Sequence, residues 1–342
     1  MSLPPAIGAV PHRRHDPLRD EWVLVSSGRT RRPWQGRREE AAAVRPPAYD
    51  PTCYLCPGNE RAGGVRNPAY RGTWSFENDF AALRPETPPG AWSQGLLRAE
   101  AEAGSCRVLC YSPHHDRTLG SLAPAEVRAV VDRWAEESAT LGERWPWVQV
   151  FENRGPEMGA SNPHPHGQIW AGEALPRDAV REDRTQREHR ERTGSLLLRD
   201  VLDQEAGGPR IVDENDGWVV LVPFWATWPY EILLLPRFPA ARLPELSGEQ
   251  RDALGRIVRA LYRRYDALFG RPLPFSFGWH QAPFGRDGAH WLLHAHAFPP
   301  LLGPDVRKFM VGYELLSEAQ RDLDPETAAE RLRAVDPGER AG

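Results

Sequence analysis

The sequence predicts an α+β protein in which one unit occurs twice in tandem, each copy contributing antiparallel strands with helices packed on them. Three observations carry that expectation. Two segments repeat the same order of strand, proline turn, amphipathic helix, strand and histidine-rich strand. The short apolar runs have strand length, whereas the two long segments place apolar residues at helical spacing. Finally, 40% hydrophobic and 26% charged residues in 342 are enough for a large packed core.

The elements follow in order. Residues 37–51 are rich in Arg, Glu, Ala and Pro without apolar periodicity, and read as an exposed arm or loop. The first copy opens on the strand Arg107-Val108-Leu109-Cys110-Tyr111 and turns through proline into a helix over about 124–143. It ends on the strand Val148-Gln149-Val150-Phe151 and the segment His164-Pro165-His166-Gly167-Gln168. The second copy opens on Glu231-Ile232-Leu233-Leu234-Leu235. A helix from Ser247, its N-cap, to about 269 carries Leu254, Ile257, Val258, Leu261 and Leu268 on one side. It ends on Phe275-Ser276-Phe277-Gly278-Trp279 and on His290 to His296, so that His166 and His296 stand at the same point of the two copies. Residues 174–193 are strongly charged and form an exposed connection or helix. The expected units are 1–172 and 173–342.

A net charge of −4 gives no electrostatic case for nucleic acid or a membrane surface. No apolar run reaches the roughly 18 residues of a spanning helix, and the start lacks the basic and apolar regions of a signal peptide. The expected compartment is the cytoplasm, where four cysteines are metal ligands or core residues rather than disulfides. Of 43 basic residues only Lys308 is lysine, which makes it either a chance survivor or a site where a compact point charge is needed.

Two motifs carry chemistry. In extended backbone, residues two apart face the same side, so His164, His166 and Gln168 line one wall. A neutral imidazole can attack phosphorus and form a phosphoramidate, and a neighbouring amide can donate to a phosphate oxygen. A histidine cluster that only binds metal is the alternative. Cys53-Tyr54-Leu55-Cys56 has the C-x-x-C spacing of a tetrahedral zinc site, with a redox pair or two surface thiols as alternatives. Cys106 and Cys110 lie in or beside a strand and read as core.

Asn153-Arg154-Gly155 followed by Ser161-Asn162-Pro163-His164-Pro165-His166-Gly167-Gln168-Ile169-Trp170 resembles the active-site signature of the galactose-1-phosphate uridylyltransferase family, a branch of the histidine-triad superfamily. The resemblance runs from about residue 11 to 336. It implies two tandem histidine-triad-like units, with His166 as the uridylylated nucleophile and Gln168 stabilising the phosphoryl group. It further implies a structural zinc on Cys53, Cys56, His115 and His164, where the residue preceding Asp116 selects His115 over His114. A second metal, iron or zinc, would be held by Glu182, His280, His294 and His296, with His290 outside the pattern. The second copy has Ala297-Phe298 where Gly167-Gln168 follow His166, so it is expected to have lost catalysis and kept metal binding.

For substrate, the resemblance implies Asn78 and Asp79 at the ribose, Arg29 and Arg32 near the phosphates, and Asn153 and Ser161 at the α-phosphate. Lys308, Phe309, Tyr313, Glu314 and Gln320 would form the hexose end, with Lys308 meeting phosphate. The implied reaction passes a uridylyl group from UDP-glucose to galactose 1-phosphate through His166, in a homodimer whose active sites are shared between subunits. Two other readings compete: a relative that transfers a different nucleotide or hydrolyses it, and a non-catalytic zinc protein on nucleic acid, which the charge and Gln168 disfavour.

Overall fold

The computed structural model describes residues 3–26 and 46–336. The chain opens on a single turn, α1 (Pro5–Gly8), and the hairpin β1 (His12–Asp16) and β2 (Glu21–Val25). After the cysteine loop come β3 (Trp74–Glu77), an exposed hairpin β4 (Ala91–Gln94) and β5 (Leu97–Glu100), and β6 (Gly104–Cys110). Then α2 (Pro124–Gly142), β7 (Trp147–Arg154) and β8 (His166–Gly172) complete the first copy. Two helices, α3 (Arg177–Thr193) and α4 (Leu197–Glu205), lead to β9 (Ile211–Glu214), β10 (Trp218–Leu221) and β11 (Ile232–Pro236). The second copy closes with α5 (Gly248–Leu268), β12 (Phe275–His280) and β13 (His294–Phe298), and α6 (Tyr313–Leu316), β14 (Gln320–Arg321) and α7 (Pro325–Ala334) end the described chain.

The two long helices start where their local chemistry dictates. At α5 the Ser247 hydroxyl accepts from the Gln250 N–H while the Gln250 side chain accepts from the Ser247 N–H, satisfying two donors that the first turn leaves unpaired. At α2 Pro124 occupies the first helical position, and Glu126 reaches back to the Ala123 N–H at 2.8 Å. Each buries an apolar stripe, Val127, Val130, Val131 and Trp134 on α2 and Leu254, Ile257, Val258 and Leu261 on α5.

Nine strands form one antiparallel sheet in the order β3-β6-β8-β7-β12-β13-β11-β10-β9. The copies meet in its middle, where β7 pairs with β12 from Arg154 opposite Phe275 to Phe151 opposite Gly278. β14 runs parallel beside β2, so both ends of the described chain share a small separate sheet. Alternation along the central strands assigns the two faces of the large sheet. Ile169 and Ala171 of β8, Val148 and Val150 of β7, Phe277 and Trp279 of β12, and Ala295 and Ala297 of β13 belong to the core under α2 and α5. His166, Gln168, Asn153, His280, His294 and His296 alternate with these and occupy the opposite face.

Three expectations are refined. The charged stretch 174–193 is a helix, α3, with Glu182 fully buried on it. The second histidine segment becomes a strand only at His294. The single wall of His164, His166 and Gln168 is divided, because β8 begins at His166. Pro163 and Pro165 lack the N–H that a ladder needs, so His164 belongs to the turn before the strand.

Candidate active site and metal centres

β8 presents His166 and Gln168 in a cleft bordered by Asn153, Gly159, Ala160, Ser161 and Gly167. His166 Nδ1 lies 2.7 Å from the His164 carbonyl oxygen. A carbonyl can only accept, so the proton is on Nδ1 and Nε2 keeps its lone pair. Burial lowers the imidazole pKa below its ordinary value, against the opposing effect of that hydrogen bond, so the ring is neutral at neutral pH. The Trp170 indole N–H donates to Gln168 Oε1 at 3.0 Å, which leaves the amide N–H groups for a ligand. Asn153 on β7 accepts from the Ser276 hydroxyl at 2.7 Å, and Ser161 lies exposed, 3.4 Å from the Tyr54 hydroxyl.

Cys53, Cys56, His115 and His164 converge, all buried, with their ligand atoms within 4.8 Å of one another. Cys56 Sγ is 3.6 Å from His115 Nδ1 and 3.5 Å from His164 Nδ1. Zinc–sulfur bonds of ~2.3 Å and zinc–nitrogen bonds of ~2.0 Å at a tetrahedral angle put S and N about 3.5 Å apart, so this set fits zinc without rearrangement. His164 Nε2 lies 2.9 Å from the Ser112 carbonyl, which takes its proton and leaves Nδ1 bare toward Cys56. His114 is exposed and outside the cluster. Asn162, which sequence reasoning missed, ties the two motifs together. It donates to Cys53 Sγ at 3.3 Å and accepts from the His164 N–H at 2.8 Å. Tyr70 is a second omission; its hydroxyl donates to the Leu55 carbonyl at 2.6 Å and lies 3.0 Å from His164 Nε2. Neither has a sequence signal of its own, apart from Asn162 standing two residues before a candidate ligand.

Glu182, His280, His294 and His296 form a second cluster on the same face of the sheet. Glu182 Oε2 is 2.9 Å from His280 Nδ1 and 3.4 Å from His294 Nε2. Both nitrogens of His296 are buried without a hydrogen-bond partner. Unpaired buried imidazole nitrogens beside a buried carboxylate are costly without a cation, so the donor set fits a divalent metal. His290 is held apart from the cluster by Asp183, at 2.7 Å from Nε2.

The expected substrate residues are distributed unevenly. Arg29 and Arg32 lie outside the described residues. Asn78 Oδ1 accepts from the Phe80 N–H, and Asp79 pairs with Arg61 at 2.7 Å. Lys308 is already engaged within the chain rather than free to meet a phosphate. It is buried, and its ammonium reaches Asp322 at 3.0 Å, Glu314 at 3.2 Å and the Gln320 carbonyl at 2.7 Å. A compact tetrahedral donor suits three acceptors there, which gives the lone lysine a reason that a planar guanidinium lacks. Gln320 is buried on β14, whereas Phe309 and Tyr313 are exposed.

Residues 5–176 match the family described as galactose-1-phosphate uridyl transferase, N-terminal domain, and residues 182–339 match its C-terminal domain. The chain belongs to the galactose-1-phosphate uridyl transferase family. It is 52% identical over 329 residues to the galactose-1-phosphate uridylyltransferase of Haemophilus influenzae, covering 95% of this chain and 94% of the relative. To the enzyme of Rattus norvegicus it is 51% identical, covering 95% and 87%. A solved uridylyltransferase structure superposes with a TM-score of 0.76 at 25% identity, covering 94% of this chain and 97% of the other. The fold is shared with an ADP-glucose phosphorylase from Arabidopsis thaliana, at a TM-score of 0.75 and 20% identity over 95% and 99% of the two chains. This family member is therefore an enzyme, a nucleotidyltransferase. No helix among the described residues is long and apolar enough to cross a membrane.

Proposed function

We propose that the enzyme transfers a uridylyl group from UDP-glucose to galactose 1-phosphate by two displacements at phosphorus, with His166 as the carrier. The observation that carries this reading is the bare Nε2 of a neutral His166, fixed by its Nδ1–H bond to the His164 carbonyl. Nε2 attacks the α-phosphorus of UDP-glucose, an N–P bond forms, and the P–O bond to glucose 1-phosphate breaks with its electron pair on the departing phosphate. The ring is then cationic, and the His164 carbonyl faces the proton that carries the charge. A phosphate oxygen of galactose 1-phosphate next attacks the same phosphorus, and the N–P pair returns to Nε2. Gln168 N–H groups donate to the non-bridging oxygens as their charge builds in each step.

Cys53, Cys56, His115 and His164 hold a structural zinc in this reading, which fixes the turn that presents His166. Glu182, His280, His294 and His296 hold the second metal, iron or zinc. Asn153 and Ser161 bind the α-phosphate; Asn78 and Asp79 read the ribose. The hexose end, with Glu314 and Gln320, serves the site of a partner subunit in a homodimer, and Arg29 and Arg32 lie near the phosphates. The exposed apolar side chains Phe309, Val311, Tyr313, Leu315 and Leu316 support a partner at this end. Four buried, unpaired cysteines support a reducing, cytoplasmic setting. The test is isotope exchange between glucose 1-phosphate and UDP-glucose without galactose 1-phosphate. A double displacement requires exchange at a rate comparable with turnover, whereas a direct transfer between two bound sugars gives none.

A further inference from the structure

Beneath the nucleophile, on the helix-facing side of the sheet, lies a buried polar group that the reaction as described does not use. The Tyr111 N–H donates to the Pro165 carbonyl at 2.9 Å. Its side chain then runs under β8, edge-on to Trp134 with ring centroids 6.1 Å apart. A Cβ on Gly167 would fall 2.2 Å from the Tyr111 hydroxyl oxygen and 2.9 Å from the Phe151 carbonyl oxygen. Position 167 is therefore glycine because the tyrosine hydroxyl occupies the space under it. Glu152, whose charge bears on that hydroxyl, accepts from the Tyr262 hydroxyl at 2.8 Å. All three side chains are buried.

The second copy supplies an internal control. Ala297 follows His296 where Gly167 follows His166. Cys110 pairs with His166 and Leu233 with His296, so Leu234 stands where Tyr111 does. The pairing of Phe151 with Gln168, continued by one residue, brings Glu152 to Gly167, and the β12 residue opposite Ala297 is Phe277. In the copy without the Gly-Gln pair, glycine, tyrosine and glutamate are thus replaced by alanine, leucine and phenylalanine. The polar group accompanies the nucleophile.

We propose that Tyr111 is a positioning residue for the nucleophile: its backbone N–H holds the Pro165 carbonyl and its hydroxyl fills the space under Gly167, on either side of His166. This rests on His166 being the carrier. Two flanking contacts set the height and pitch of the strand, and with them the line from Nε2 to the phosphorus, without touching substrate. Displacement of a reacting atom by about 1 Å costs on the order of 100-fold in rate.

The test is single-turnover labelling of the zinc-loaded full chain by UDP-glucose. Tyr111→Phe should slow labelling by about 10- to 100-fold, leave the UDP-glucose concentration for half-maximal rate within about 3-fold, and retain zinc. Gly167→Ala should be slower still. The double variant should be no slower than Gly167→Ala, because both changes act on one space. Should Tyr111→Phe fail to fold, Gly167→Ala alone decides: with zinc retained it must label more slowly than wild type. Wild-type rates in Tyr111→Phe or in zinc-retaining Gly167→Ala, or multiplicative effects in the double variant, overturn the proposal. Absence of label on His166 in the wild-type protein instead overturns the carrier reading on which it rests.

Discussion

Replacing Asn162 by alanine tests whether the cysteine–histidine cluster and the turn before His166 act as one piece. Two bonds are lost together. One is the amide N–H to Cys53 Sγ at 3.3 Å, which a metal-bound thiolate would accept as a charge-assisted bond of about 1.5–3 kcal/mol. The other is the Oδ1 acceptor of the His164 N–H at 2.8 Å, and leaving that buried donor unpaired costs about 1–3 kcal/mol. The contacts share one side chain, so the expected loss is about 2–5 kcal/mol rather than a strict sum. Support of this kind around a ligand is worth about 10- to 100-fold in metal affinity. Asn162→Asp separates the parts: it keeps the acceptor for His164 but sets a carboxylate against sulfur. It should therefore lose zinc affinity more than its backbone order. The assay is chelator competition for zinc alongside denaturant unfolding of zinc-loaded protein. Wild-type zinc affinity and an unchanged unfolding midpoint in Asn162→Ala would mean that Asn162 links neither piece to the other.

Three further outcomes are expected. His115→Ala and Cys53→Ser should each lose stoichiometric zinc and stability while His114→Ala keeps both, as metal analysis with thermal unfolding would show. Burial lowers the His164 pKa from 6.5 to about 4, so the unfolded chain takes up the proton first. Stability of the metal-free protein is then full above pH ~6.5 and declines as pH falls toward 4, by ~3 kcal/mol at the limit, in a pH series of denaturant melts. Lys308→Ala leaves Glu314 and Asp322 without their cation; a loss of about 3–5 kcal/mol is expected, with a raised KM for galactose 1-phosphate and little change in uridylylation by UDP-glucose. Wild-type stability and KM in that variant would return Lys308 to chance.

Much of this was legible in the sequence, and the remainder has identifiable physical causes. Apolar periodicity located α2 and α5 to within two residues, since each buries one continuous stripe. The duplication was legible because both copies keep their order of elements. That the copies fuse through β7 and β12 was not, because both strands read as half-buried and nothing local selects a partner. The proline pair flanking His164 should have signalled that the ladder starts only at His166. Cys53 and Cys56 carried a spacing signal, but His115 and Glu182 came from resemblance, being distant in sequence from the residues they meet. Lys308 was singled out by composition, yet its three acceptors lie within a buried turn that composition cannot describe. Tyr111, Glu152 and Gly167 each looked like ordinary core or motif residues until the sheet brought them together.

The proposed carrier of the uridylyl group is His166 Nε2. Intact-mass analysis after mixing the protein with UDP-glucose alone tests it most directly. The expected result is one added uridylyl mass per chain and stoichiometric glucose 1-phosphate, with an acid-labile, base-stable label on a peptide containing His166 and none in His166→Asn. A protein that gains no mass yet makes UDP-galactose once galactose 1-phosphate is added, or a label that persists in His166→Asn, would contradict it.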